Sequence, residues 1–271
     1  MRLGIIGCGV LGSYVARQVR AGAAGDYELV SVMDVALTPR LEMLGKELDV
    51  PVVHDIDCLL STRPQIVVEA AAREAIWQFG EKCIGAGTSL VVLSTGSLLD
   101  DGFRSRLLDA AKKAGRKVYI PSGALGGFDI ARAATSGNGS GMVRATLTTR
   151  KPPEALEGAP HLAGRDLKAL TAPEVLFTGS VASGIEQFPQ NVNIAASLAL
   201  ALGRPERITL SVIADPSVTS NTHRFELEGA FGTASVEVRA RPMDSNPKSS
   251  QLAGMSVVAL LKRLCEPLQI G

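Results

Sequence analysis

The sequence predicts an α/β protein: an N-terminal half built on a doubly wound parallel sheet, and a C-terminal α+β half with a mainly antiparallel sheet. Three observations carry this. Residues 1–120 alternate short apolar runs with helix-period segments, the rhythm of successive βαβ units. Runs such as Ile66-Val67-Val68 and Leu90-Val91-Val92-Leu93 are apolar throughout, as strands covered by helices on both faces must be. From about residue 140 the pattern changes to period-two alternation, which marks a half-exposed antiparallel sheet. Composition agrees. At 271 residues the chain is long enough for two domains, and 46% apolar with 20% charged residues excludes disorder. Few aromatics (4%) and 28 glycines favour close helix–sheet packing.

In chain order, apolar runs predict strands over residues 2–6, 28–34, 52–54, 66–70, 89–94 and 117–120. The segments between them predict helices over 12–21, 40–48, 56–60, 73–86 and 100–114. In the second half, 142–150 (MVRATLTTR), 207–214, 223–228 and 234–240 read as strands. Residues 191–202 are apolar nearly all round and predict a buried helix. Residues 249–264 are amphipathic, with Leu252, Met255, Val258, Leu261 and Leu264 at helical spacing. The boundary between halves falls in 121–128, and the Pro/Gly-rich stretch 151–164 is an excursion within the second half.

Charge and cysteines exclude several classes. Twenty-eight basic against 27 acidic residues leave a net charge of +1, so no electrostatic case exists for nucleic acid or an anionic membrane. Cys8, Cys58, Cys83 and Cys265 form no CxxC pair, so no metal site or redox motif is expected. Scattered cysteines fit a reducing cytosol. No signal-peptide pattern opens the chain, and the most apolar helix-length stretch, 194–202, is about half a bilayer crossing. A soluble cytoplasmic protein is expected.

The clearest motif is Gly7-Cys8-Gly9-Val10-Leu11-Gly12, between the first strand and the first helix. That is the dinucleotide fingerprint of a Rossmann-type sheet. Gly7 allows the tight turn, Gly9 lets backbone approach a pyrophosphate, and Gly12 lets helix and strand pack closely. The first-turn N–H groups, at Val10 and Leu11, face the phosphates. Asp34 ends the second strand 22 residues after Gly12, where a carboxylate binds the adenine ribose hydroxyls and repels a 2′-phosphate. NAD is therefore favoured, although Arg40 nearby leaves NADP open. Two more strand ends, Glu69-Ala70-Ala71-Ala72 and Ser94-Thr95-Gly96-Ser97, belong to the same cleft. Their small residues, Ala70 among them, leave room for ribose and nicotinamide. Glu69 reads either as part of that cleft or as a structural carboxylate.

Five further segments carry a resemblance: Pro121-Ser122-Gly123-Ala124-Leu125-Gly126-Gly127-Phe128-Asp129; Gly179-Ser180-Val181 with Phe188-Pro189-Gln190-Asn191-Val192-Asn193; Ala214-Asp215-Pro216; Asn221-Thr222-His223; and Asn246-Pro247-Lys248-Ser249-Ser250. In this order they resemble the L-aspartate dehydrogenases, over nearly the whole chain. The resemblance implies NAD(P)-dependent oxidation of L-aspartate to iminosuccinate, a precursor for NAD biosynthesis, in a homodimer. It places the active-site histidine at His223 and cofactor contacts at Ala124 and Asn193. Residues 1–122 then form the dinucleotide-binding domain, with helix 249–271 packing back on it, and 123–248 the catalytic and dimerisation domain.

Amino-acid oxidation by hydride transfer needs a neutral amine, an aligned α-hydrogen and held carboxylates. A histidine base suits the first need. His54 and His161 read as surface residues. On its strand, alternation puts Asn221, His223, Phe225 and Leu227 on one sheltered side. Asp215 is either a turn starter or an orienter of the imidazole. Ser122 and Gly123, in the glycine-rich loop, are candidate substrate contacts. Lys248 is the first choice for the cation that holds a substrate carboxylate, then Arg150 and Lys151. Run in reverse, the same site would aminate oxaloacetate with ammonia. Two other readings stay open: another amino-acid-pathway dehydrogenase or reductase of this architecture, and an NAD-binding sensor without turnover.

Overall fold

The computed structural model describes residues 1–36, 38–136, 144–189, 193–243 and 246–270, with 246–248 described by their backbone. The chain forms two compact units, one of Met1–Pro121 with Ala253–Gly271 and one of Ser122–Leu252.

The first unit runs β1 (Arg2–Ile6), α1 (Val10–Arg20), β2 (Glu28–Met33), α2 (Pro39–Leu48), β3 (Val52–Val53), α3 (Ile56–Ser61), β4 (Ile66–Glu69), α4 (Arg73–Gly85), β5 (Ser89–Val92), α5 (Asp101–Ala114) and β6 (Val118–Tyr119). The six strands pair in parallel in the order β3-β2-β1-β4-β5-β6. Strand order reverses between β1 and β4, and ligands of such sheets bind beyond the strands' carboxyl ends at that point. The continuous apolar runs are there because the central strands are covered on both faces: Leu3, Ile5, Val67, Val68, Leu90, Val91 and Val92 are fully buried. Most helix starts are fixed by side chains. Thr38 accepts from Leu41 N–H (3.2 Å), Asp55 from Cys58 N–H (2.9 Å) and Asp100 from Phe103 N–H (2.8 Å), each worth about 1 kcal/mol. Helix α1 differs. Its cap is Gly9, with no capping side chain and no acidic residue in the first turn.

The second unit contains α6 (Phe128–Thr135), β7 (Arg144–Lys151), β8 (Glu174–Ser180), α7 (Val181–Gln187), α8 (Asn193–Leu202), β9 (Ile208–Ala214), β10 (Asn221–Gly229), β11 (Gly232–Ala240), β12 (Pro242–Met243) and β13 (Asn246–Ser250). Five strands form one sheet, β11-β10-β7-β9-β8, in which β7 and β9 are parallel and every other pair antiparallel. Alternation decides its inner face. Ala145, Leu147, Thr149 and Lys151 of β7 are buried, as are Asn221, His223, Phe225 and Leu227 of β10. The structure adds α6, β8 and α7, which periodicity alone does not reveal. It also splits the segment expected as one helix over 249–264: Ser249 and Ser250 belong to β13, and α9 (Gln251–Cys265) begins after them.

Helix α9 supplies Val257, Leu260 and Leu261 to the core of the first unit, beside Leu3, Ile5, Val15 and Val19. The Tyr27 hydroxyl donates to the Leu261 carbonyl at 3.0 Å. Among the described residues no helix is long and apolar enough to cross a membrane.

Candidate active site

The glycine loop is built by close approach. Gly7 has φ +89°, and a Cβ there would lie 2.6 Å from the Cβ and backbone nitrogen of Ala71. Its N–H donates to the Met33 carbonyl at 2.8 Å, tying the loop to β2. A Cβ on Gly12 would fall 1.8 Å from the Gly7 carbonyl oxygen, so α1 presses against the loop only because Gly12 has none. A Cβ on Gly9 would meet nothing within 4 Å. The loop is thus open on the side that a phosphate approaches. With no side-chain cap on α1, the Val10 and Leu11 region offers main-chain donors and a positive dipole end. These features fit a dinucleotide's pyrophosphate.

Asp34 follows β2 directly, and its Oδ2 accepts from Cys8 N–H at 2.8 Å. That bond ties the carboxylate to the glycine loop. Burial and then the Asp34 charge push the Cys8 thiol up to about 12, so the loop cysteine is inert as a nucleophile. At the end of β4, Ala70 N–H donates to the Ile6 carbonyl at 2.8 Å, which sets Ala70 and Ala71 against the glycine loop. Arg40, in the first turn of α2, is exposed.

In the second unit, His223 is 2% exposed. It pairs with Thr149 across β10 and β7, and its Nδ1 lies 3.1 Å from the Thr149 hydroxyl. Lys151, two residues further along the same face of β7, is 3% exposed. Burial first, and then the Lys151 charge, lower the His223 pKa from 6.5 to about 3. The imidazole is therefore neutral at physiological pH, with a lone pair able to take a proton.

Asp215 does not orient the imidazole. Its Oδ2 accepts from Arg150 (2.5 Å) and its Oδ1 from the Ser217 N–H and hydroxyl (2.8 and 2.6 Å). The Ser217 hydroxyl, then Arg150, hold its carboxyl below the usual range. The partner of His223 is Thr149, which the sequence reading passed over. Arg150 is engaged by Asp215, on the strand face opposite Thr149 and Lys151. The signal for Lys151 was in the β7 alternation, which places a lysine on the apolar side.

Of the other sequence candidates, Ser122 is exposed, Gly123 has φ +67°, and Ala124 is 3% exposed. All three precede α6. Asn193 is half-buried at the start of α8, where its carbonyl accepts from the Ser197 hydroxyl at 3.1 Å. Lys248 lies on β13, and its side chain is outside the described residues. His54 and His161 are exposed. No cluster of metal-ligating side chains occurs among the described residues.

Comparison with known proteins brings these features together. Residues 7–121 match the model described as homoserine dehydrogenase, NAD binding domain, and residues 129–264 match aspartate dehydrogenase, C-terminal. L-aspartate dehydrogenase of Methanosarcina mazei is 38% identical over 275 residues, covering 100% of this chain and 99% of its own. The chain belongs to the aspartate dehydrogenase family. L-aspartate dehydrogenase of Methanocaldococcus jannaschii is 32% identical with the same coverage. The crystal structure of aspartate dehydrogenase from Thermotoga maritima shares the fold, with a TM-score of 0.77 at 24% identity over 100% of this chain and 99% of that one. Membership of the aspartate dehydrogenase family makes this chain an oxidoreductase that uses NAD or NADP.

Proposed function

We propose that this aspartate dehydrogenase family member oxidises L-aspartate to iminosuccinate, with His223 as the base. The observation that carries the reading is a neutral buried imidazole and a buried lysine on one face of the β7–β10 ladder, in a chain that also carries a dinucleotide loop. Gly7, Gly9, Val10, Leu11 and Gly12 hold the pyrophosphate, Asp34 the adenine ribose, and Ala70, Ala124 and Asn193 the remaining cofactor contacts. An oxidised nicotinamide bound there supplies the hydride acceptor. His223 takes the proton of the substrate ammonium, which frees the amine lone pair to form the C=N bond as hydride leaves the α-carbon. Thr149, at 3.1 Å from Nδ1, fixes the ring so that Nε2 faces the substrate.

Lys151 is the cation for a substrate carboxylate, with Ser122 and Gly123 as further substrate contacts and Lys248 a second candidate cation. Two carboxylates brought beside His223 offset the Lys151 charge and raise the imidazole's proton affinity toward the working range. Asp34 makes NAD the preferred cofactor over NADP. A homodimer, a cytoplasmic location and a product that feeds NAD biosynthesis complete the reading.

His223→Ala tests it. Turnover of L-aspartate should fall at least about 100-fold, the scale of a lost general base, while NAD binding persists. Unchanged turnover removes His223 from the chemistry. L-aspartate compared with D-aspartate, L-glutamate and L-homoserine, by absorbance of reduced cofactor, tests the substrate.

A further inference from the structure

Glu69 closes β4 with no exposed surface. Its Oε1 accepts from Ala71 N–H (2.9 Å) and the Ser94 hydroxyl (2.7 Å). Its Oε2 accepts from Leu93 N–H (3.2 Å) and Ser94 N–H (3.0 Å). Three of these partners are backbone amides, which donate and never accept. The Ser94 hydroxyl can donate the fourth bond, so an ionised carboxylate accepts from all four partners at once. Burial raises the carboxyl pKa above its ordinary value, the hydrogen bonds from Ser94, Ala71 and Leu93 counter part of that rise, and no charged side chain contributes. The carboxylate is thus held by neutral donors that leave its charge uncancelled.

Its position gives that charge a use. Ala71, whose N–H it binds, packs against Gly7 of the phosphate loop. Sheets of this strand order take one mononucleotide on the β1–β3 half and the other on the β4–β6 half. Asp34, after β2, belongs to the adenosine half, so the ends of β4 and β5 belong to the nicotinamide half. Neutral acceptors would suffice to tie the two strand ends together. A buried charge adds a desolvation cost and a field.

We propose that Glu69 is an electrostatic selector of cofactor redox state: its uncancelled negative charge, delivered to the nicotinamide half of the site, holds the cationic ring of NAD⁺ more tightly than the neutral ring of NADH. This rests on the dinucleotide reading above. Glu69 acts as a positioning and charge-bearing residue, and its consequence is release of the reduced cofactor after turnover.

Calorimetric titration of the full chain with NAD⁺ and with NADH tests it. Wild type should hold NAD⁺ at least as tightly as NADH. Glu69→Gln keeps the shape and removes the charge. It should weaken NAD⁺ relative to NADH about tenfold, the scale of one unit charge acting across several ångströms of protein, equivalent to raising the bound couple's potential by about 30 mV. Ser94→Ala, which removes a neutral donor and keeps the charge, should weaken both forms in parallel. An unchanged ratio in Glu69→Gln overturns the proposal. So does a wild type that holds NADH tenfold more tightly than NAD⁺, and that measurement decides even where Glu69→Gln fails to fold. Wild type binding neither form would overturn the dinucleotide reading itself, and this proposal with it.

Discussion

His223 is the residue where burial, charge and chemistry meet. Its folded-state pKa of about 3 lies below the ordinary value of 6.5, so the native protein binds fewer protons than the unfolded chain between those values. Its contribution to stability is fully present above about pH 6.5 and is lost as pH falls toward 3, by at most about 1.4 kcal/mol per pH unit. Urea unfolding between pH 4 and 7 should therefore show wild type losing more stability than His223→Gln, and parallel curves would contradict the burial effect. The acid limb of kcat/KM, which reports the free enzyme, should likewise carry no histidine step near 6.5. Asp34 gives a second residue-scale test. Asp34→Ser should raise the KM for NAD and narrow the NAD/NADP preference, and an unchanged ratio would remove Asp34 from the ribose. The sheltered face of His223 was legible because β10 alternates cleanly through Asn221, His223, Phe225 and Leu227. Lys151 was harder to read, because an isolated lysine is by default a solvated one. Only its register on β7, beside Thr149, shows otherwise.

At the scale of elements, the strand–loop–helix start is the least tolerant piece. A Cβ on Gly12 would meet the Gly7 carbonyl oxygen at 1.8 Å, and that oxygen, being backbone, has no side-chain freedom to move away. Gly12→Ala should cost at least about 1–3 kcal/mol, the range for overpacking, and should abolish dinucleotide binding. Thermal melting with a cofactor titration checks both, and a variant that still binds NAD normally would contradict the packing reading. The parallel strands were readable because their two covered faces demand uninterrupted apolar runs. Strand β8 was not. It lies at the sheet edge, its burial alternates weakly, and a register shift between Val175 and Phe177 breaks its pairing. Helix α6 spans only eight residues, Phe128–Thr135, too few for periodicity to stand out from the glycine-rich run before it.

For the whole molecule, the telling feature is that the dinucleotide-binding unit is discontinuous. The chain leaves it at Pro121 and rejoins it at Ala253. Leu261 is fully buried in its core, so Leu261→Ala should destabilise that unit by about 2–5 kcal/mol. Chemical denaturation followed through cofactor protection measures this, and a loss under 1 kcal/mol would mean that α9 is dispensable. The amphipathic stripe of α9 was plain in the sequence. The return of α9 to the first unit was expected too, but a stripe records that a face is covered and not by which side chains, so its neighbours Leu3, Ile5, Val15 and Val19 are seen only in the structure.

The same return of the chain sets an order of events during synthesis. Domains tend to fold as they emerge from the ribosome, yet here the first 121 residues have a gap in their core where Val257, Leu260 and Leu261 belong. The segment Ser122–Leu252 can settle before the earlier one is complete. The nascent chain would thus gain its grip on the dinucleotide late, and a nonsense mutation near residue 250 would remove that grip although every glycine of the loop had already been made.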